Sequence, residues 1–204
     1  MLFQPLTSIK GIGTRRAETL GELGLFCLRD LLYYAPRNYT DYSRVACACE
    51  LKHGASAAVR VRLTGEPKLA RVNRKLNILT AACCDETGKL TLVWYNQPFR
   101  KASLKIGDVL YACGRADTAR GARLLNPSLY EALPGIVPMY ALPKGISQKV
   151  FRDTVRAALD ACVNELEETL PEEIISRYGL CSLSSALFEL HFPQSAETLR
   201  VAKR

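Results

Sequence analysis

The sequence predicts an α+β protein, with a five-stranded β-barrel between a helical module on one side and further helices on the other. Apolar residues recur at helical spacing near both ends of the chain, and between residues 45 and 133 the hydrophobic period drops to two. A composition of 48% apolar and 24% charged residues is that of a chain able to build cores of its own. At 204 residues, against ~150 for a typical domain, the chain holds one large domain or two small ones, and is too short for a multi-domain motor. Three segments are expected: 1–44, 45–133 and 134–204.

Taking the elements in order, Ala17, Leu20 and Leu23, then Leu28, Leu31 and Leu32, mark two short helices separated by Gly24. Pro36 ends the second, and the polar, turn-rich stretch RNYTDYSR reads as a linker. Five strands follow, at residues 57–66, 75–85, 89–96, 108–116 and 122–131. They are joined by a basic loop around Arg71 to Arg74, a tight Glu86-Thr87-Gly88 hairpin, a stretch of helical potential from Gln97, and Arg120-Gly121. A short helical insert between the third and fourth of five strands is the order of an OB-fold, although other small barrels share parts of this pattern. The Pro-rich stretch of Pro134, Pro138 and Pro143 leads to Ser147, a suitable N-cap for a helix carrying Phe151, Val155 and Leu159. Pro171-Glu172-Glu173 opens another helix and Gly179 stops it, since acids suit the first turn and glycine the end. A last helix is expected around Ser184 to Leu190, after which the chain runs off uncapped, as the beginning of a longer polypeptide would.

The net charge of +8 is uneven: residues 1–44 carry +2, residues 45–133 carry +7 and residues 134–204 carry −1. The barrel segment therefore holds the surface suited to a polyanionic partner, without by itself choosing nucleic acid over a membrane. No stretch approaches the ~18 uncharged apolar residues a spanning helix needs, and Pro5, Gly11 and Gly13 interrupt the N-terminus where a signal peptide would be apolar. A cytoplasmic protein with no membrane partner is expected. The eight cysteines form no CxxC pair, and His53 and His191 stand at no zinc-finger spacing, so they read as scattered buried thiols with no metal site. There is no GxxxxGK[ST], HExxH or GxSxG, and no catalytic residue is identified.

Two motifs bear on binding. In Ile9-Lys10-Gly11-Ile12-Gly13-Thr14-Arg15-Arg16, the glycines permit a tight turn into a helix whose N–H groups face a phosphate, with Lys10, Arg15 and Arg16 as further contacts; this resembles a helix-hairpin-helix element. The alternative is a turn between two helices with no ligand. The second motif, Trp94-Tyr95-Asn96-Gln97-Pro98-Phe99-Arg100-Lys101, combines three aromatics and two cations where a strand leaves the barrel. Rings that stack on bases beside cations that hold the backbone suit a single-strand or junction binder. Strand alternation from Leu90 and Leu92 puts Trp94 in the core and Tyr95 on the opposite face, leaving Tyr95 and Phe99 as the stacking candidates. Arg71, Asn73, Arg74 and Lys75 lie at the tip of the first predicted hairpin, either as solubilising charge or as contacts to a duplex backbone.

Four passages resemble the N-terminal part of the RecG family of bacterial ATP-dependent branched-DNA helicases. They are IKGIGTRRAETLGELGLFCLRDLLYYAPRNYTDYS, YNQPF with its basic residues and LKIGD, VPMYALPKGISQKVFR, and LPEEIISRYGLCSLSSALFELHFPQS. The resemblance implies an OB-fold wedge that enters a replication fork or Holliday junction and stacks aromatics on the base pairs at the branch, in DNA repair and recombination. By motif position those aromatics are Tyr95 and Phe99. It also implies a helicase motor, with its ATP and Mg²⁺, elsewhere in the same polypeptide; this chain holds no cofactor and is expected to bind branched DNA without unwinding it. Where the family more often has His-Pro-Glu, this sequence has Asn126-Pro127-Ser128, which leaves the role of those side chains open. A free-standing OB-fold that binds single-stranded DNA or RNA, and a structural module that binds neither, are the other classes. Preference for branched DNA and salt-dependent affinity separate them.

Overall fold

A computed structural model describes residues 1–204 as two compact units, Asp41–Gly135 and the pair of segments Met1–Thr40 and Ile136–Arg204. The chain is α+β. In the barrel unit, β2 (Ser56–Leu63), β4 (Leu76–Cys84), β5 (Lys89–Tyr95), β6 (Val109–Asp117) and β7 (Arg123–Tyr130) are the five strands the alternation predicts. β2 pairs antiparallel with β6, β6 with β7 and β4 with β5, while β5 and β7 run parallel. Arg62↔Cys84 and Leu63↔Cys83 then join β2 to β4, closing the cycle in the strand order of an OB-fold. Inward side chains such as Val59, Val61, Leu79, Leu92, Trp94 and Leu124 form one core, because alternate residues of each strand point to the same face.

The sequence reading departs from the structure in several places. The basic loop after the first strand is itself β3 (Lys68–Asn73), an edge strand paired only with β4. All six of its residues are exposed, so no alternation betrays it. The predicted linker contains β1 (Asn38–Tyr42) and the Pro-rich stretch contains β8 (Gly135–Met139), which form a two-stranded sheet. Pro138 is tolerated because such a sheet has only edges. The insert between β5 and β6 is a 3₁₀ helix at Pro98–Ser103. Of the eight cysteines, Cys83, Cys113 and Cys162 are buried, Cys49 is exposed and the other four are intermediate, so the uniform burial expected does not hold. Desolvation pushes the Cys83 and Cys113 thiols up to about 12, which keeps them protonated and unreactive at neutral pH.

In the other unit the two chain segments share one core. Leu20 of α1 (Thr14–Gly21) and Leu28, Leu31 and Leu32 of α2 (Leu28–Tyr33) pack with Phe151, Val155 and Leu159 of α3 (Gln148–Cys162). Asp30 caps α2 by accepting from the backbone N–H groups of Phe26 and Cys27 at 2.9 and 3.0 Å, which hold its carboxyl below the usual range. The Ser147 hydroxyl accepts from Val150 N at 3.2 Å and starts α3. Gly179, with φ +58°, ends α4 (Glu172–Tyr178). α5 spans Leu183–His191. The residues beyond it do not run off uncapped: the Ser195 hydroxyl accepts from Thr198 N at 3.1 Å and opens α6 (Ala196–Ala202). One polar pair sits inside this core. His191 is fully buried; its Nε2 lies 2.7 Å from the Leu32 carbonyl and its Nδ1 2.8 Å from the Tyr140 hydroxyl. Since a carbonyl only accepts, Nε2 carries the proton and Nδ1 accepts from Tyr140. No helix is long and apolar enough to cross a membrane.

Candidate nucleic-acid interface

The residues singled out in the barrel sequence collect where β5 leaves the sheet. Trp94 is fully buried and its Nε1 donates to the Pro127 carbonyl at 2.8 Å, so it is core, as the alternation predicts. Tyr95 points the other way and is 38% exposed. Phe99, on the 3₁₀ helix, is 72% exposed, a large apolar surface that nothing in its own unit covers. Arg100 lies beside both Trp94 and Phe99, its guanidinium carbon 5.7 Å from the Trp94 ring centre and 5.9 Å from that of Phe99. Its Nε donates to Gln97 Oε1 at 2.6 Å. Partial burial lowers the pKa of Arg100 from its ordinary value. Lys101 beside it is exposed.

The 3₁₀ helix packs against β3 and β4, bringing the basic hairpin to the same end of the barrel. Arg71 ends the regular part of β3; Val72 is bulged out, since Arg71 pairs with Asn77 and Asn73 with Leu76. Asn73 shapes the tip, its Oδ1 accepting from Lys75 N at 2.8 Å, with Arg74 and Lys75 exposed around it. None of Arg71, Arg74, Lys75, Arg100 or Lys101 takes part in an ion pair. Cations left without a carboxylate near the exposed Tyr95 and Phe99 are groups suited to phosphate and base; Leu69 and Val72 are exposed on the same hairpin, Leu69 by register on the Trp94 face of the sheet and not on that of Tyr95.

The glycine turn belongs to the other unit. Gly11 has φ +100°, a conformation only glycine adopts freely, and Gly13 precedes the first residue of α1. Arg16 folds back to donate to the Gly11 carbonyl at 2.5 Å, while Lys10 and Arg15 are exposed and Arg15 lines a cleft with Thr19 and Lys144. Sequence reasoning missed Leu69 and Val72, because their strand was not visible, and Gln97 and Asn126, whose contacts join residues some thirty positions apart.

A sequence model of the RecG wedge domain matches residues 5–162. The chain belongs to that family. Among RecG proteins, it is 31% identical over 202 residues to the ATP-dependent DNA helicase RecG of Bacillus subtilis (strain 168), covering 98% of this chain and 30% of that protein. To the Thermotoga maritima RecG it is 30% identical over 207 residues, covering 95% of this chain and 26% of that one. A solved structure of RecG bound to a three-way DNA junction matches with a TM-score of 0.86 at 27% identity, over 100% of this chain and 29% of the RecG chain. The chain thus spans less than a third of the RecG proteins it matches.

Proposed function

We propose that this chain is the branch-recognition part of a RecG-type DNA helicase, acting on replication forks and Holliday junctions in repair and recombination. Tyr95 and Phe99 stack on the last base pairs at the branch. Arg71, Asn73, Arg74, Lys75, Arg100 and Lys101 hold the flanking phosphates, and Lys10, Gly11, Gly13, Arg15 and Arg16 offer a further backbone contact. The observation that carries the reading is the exposed Phe99 and Tyr95 beside unpaired cations at one end of the barrel. A junction-bound RecG as structural neighbour supports it. ATP and Mg²⁺ belong in this reading to motor segments of the full polypeptide, since this sequence contains no phosphate loop. Its partners are therefore branched DNA and that motor, in the cytoplasm.

Fluorescence anisotropy with a fork, a plain duplex and a single strand of matched length, at two salt concentrations, tests this. Tighter binding to the fork than to either other substrate is expected. A preference for single strands would mean a free-standing OB-fold binder, and no salt-dependent affinity for any of them would mean a structural module.

A further inference from the structure

We propose that Asn126 is a specificity-determining positioning residue, whose side chain fixes the direction in which Tyr95 and Phe99 leave the barrel. The inference rests on the branch contact proposed for those rings. The parallel pairing of β5 with β7 runs from Thr91↔Arg123 to Val93↔Leu125 and stops there. It stops because β7 bulges: Asn126 and Pro127 together face the single residue Gly114 of β6. At the bulge the two backbones approach closely enough that a Cβ on Gly114 would lie 3.0 Å from Pro127 Cα and 3.1 Å from the Leu125 carbonyl, an approach that glycine allows.

At the bulge Asn126 takes φ +43°, a left-handed conformation that asparagine tolerates better than other residues with a side chain. Turned this way, its Oδ1 accepts from Tyr95 N at 3.0 Å and from Gln97 Nε2 at 3.3 Å. A backbone N–H needs an acceptor, so the oxygen and not the amide nitrogen faces Tyr95. The side chain thus supplies one more rung after the backbone ladder has ended. From Gln97 the connection passes through Oε1 to Arg100 Nε, and from the Arg100 guanidinium to the face of Phe99. Both exposed rings are tied to one amide, Tyr95 through its backbone and Phe99 through two side chains. None of this is visible in the sequence, where Asn126 is only a departure from the family's pattern.

The test compares the full chain with Asn126→Gly, which keeps the left-handed backbone and removes the acceptor, and Asn126→Asp, which keeps it. Two quantities are read: hydrogen exchange at the Tyr95 amide in the free protein, and the ratio of fork to duplex affinity. In the glycine variant Tyr95 exchange should quicken by about tenfold or more. Its fork preference should fall about threefold or more with duplex affinity little changed, since stacking on the branch is what misaligned rings lose. The aspartate variant should keep the parent's exchange and ratio, although its added charge weakens both DNA complexes together. Parent-like exchange and ratio in the glycine variant would overturn the proposal. If the parent shows no fork preference, the branch reading fails, and Tyr95 exchange alone then upholds or overturns the anchoring by Asn126. Should the glycine variant fail to fold, Gln97→Ala breaks the same connection one step further on and must lower the fork ratio.

Discussion

Replacing Phe99 with alanine separates recognition of the branch from stability of the fold. The ring is 72% exposed, so folding removes only about 50 Å² of it from water, which at about 25 cal/mol per Å² is about 1 kcal/mol of stability. The variant should melt a few degrees lower and remain folded at room temperature. If the ring caps a base pair, its loss removes stacking of about 1 to 3 kcal/mol, and fork affinity falls about 5- to 150-fold. Plain duplex offers no unstacked base and should bind within about twofold of the parent, as the phosphate contacts are untouched. Arg100 keeps its place over Trp94, 5.7 Å from the ring centre, so the cation is not released by the change. Tyr95→Ala should act in the same direction, with a larger cost to folding because that ring is only 38% exposed. The assay is anisotropy with fork and duplex beside a melting curve for each variant. A folded Phe99→Ala protein that keeps the parent's ratio of fork to duplex affinity would refute the stacking argument.

Changing Arg71, Arg74 and Lys75 together to alanine should make the slope of log affinity against log salt shallower by about 2.7, at about 0.9 per phosphate, and leave fork preference intact; an unchanged slope would mean these charges are only solvated. His191 has its pKa lowered by burial, so the unfolded chain takes up a proton near pH 6.5 while the folded chain resists until lower pH. Urea stability of the unit containing it should therefore fall as pH drops below about 6.5, by up to about 1.4 kcal/mol per pH unit, and His191→Gln should flatten that dependence. Gly114→Ala should cost about 1 to 3 kcal/mol in a urea titration, because the atoms a methyl group would meet are backbone atoms of Pro127 and Leu125 and the ring-bound Cβ of Pro127, none of which can rotate away.

The barrel strands were legible because each buries one face, and residues such as Val59, Val61 and Leu63 announce it by alternating with charge. β3 has no buried face, so its sequence KLARVN carried no period and read as a basic loop. β1 and β8 were hidden for related reasons, one being polar throughout and the other interrupted by Pro138. α6 buries little beyond Leu199, which is too weak a pattern to outweigh its charges. At the interface, strand alternation sufficed to put Trp94 inside and Tyr95 outside, since that depends on neighbours in sequence alone. Asn126 depends on a bulge, a left-handed turn and a strand thirty residues away, three conditions that exist only once the sheet has formed.

The division of the helical unit between Met1–Thr40 and Ile136–Arg204 bears on the order of events during synthesis. Leu20, Leu31 and Leu32 share their core with Leu6, Ile12 and Leu28 of the same segment, but that core stays incomplete until Phe151 and Val155 have been made, so Met1–Thr40 leaves the ribosome with leucines still uncovered while the barrel is translated. Joining the two segments across residues 41–135 as loose chain would cost about 4 kcal/mol of closure entropy. A barrel already folded fixes its own ends and removes most of that cost before the second segment emerges. Mutations that slow the barrel, such as those crowding Gly114, should therefore leave Leu20, Leu31 and Leu32 exposed to aggregation for longer, although none of these leucines lies in the barrel.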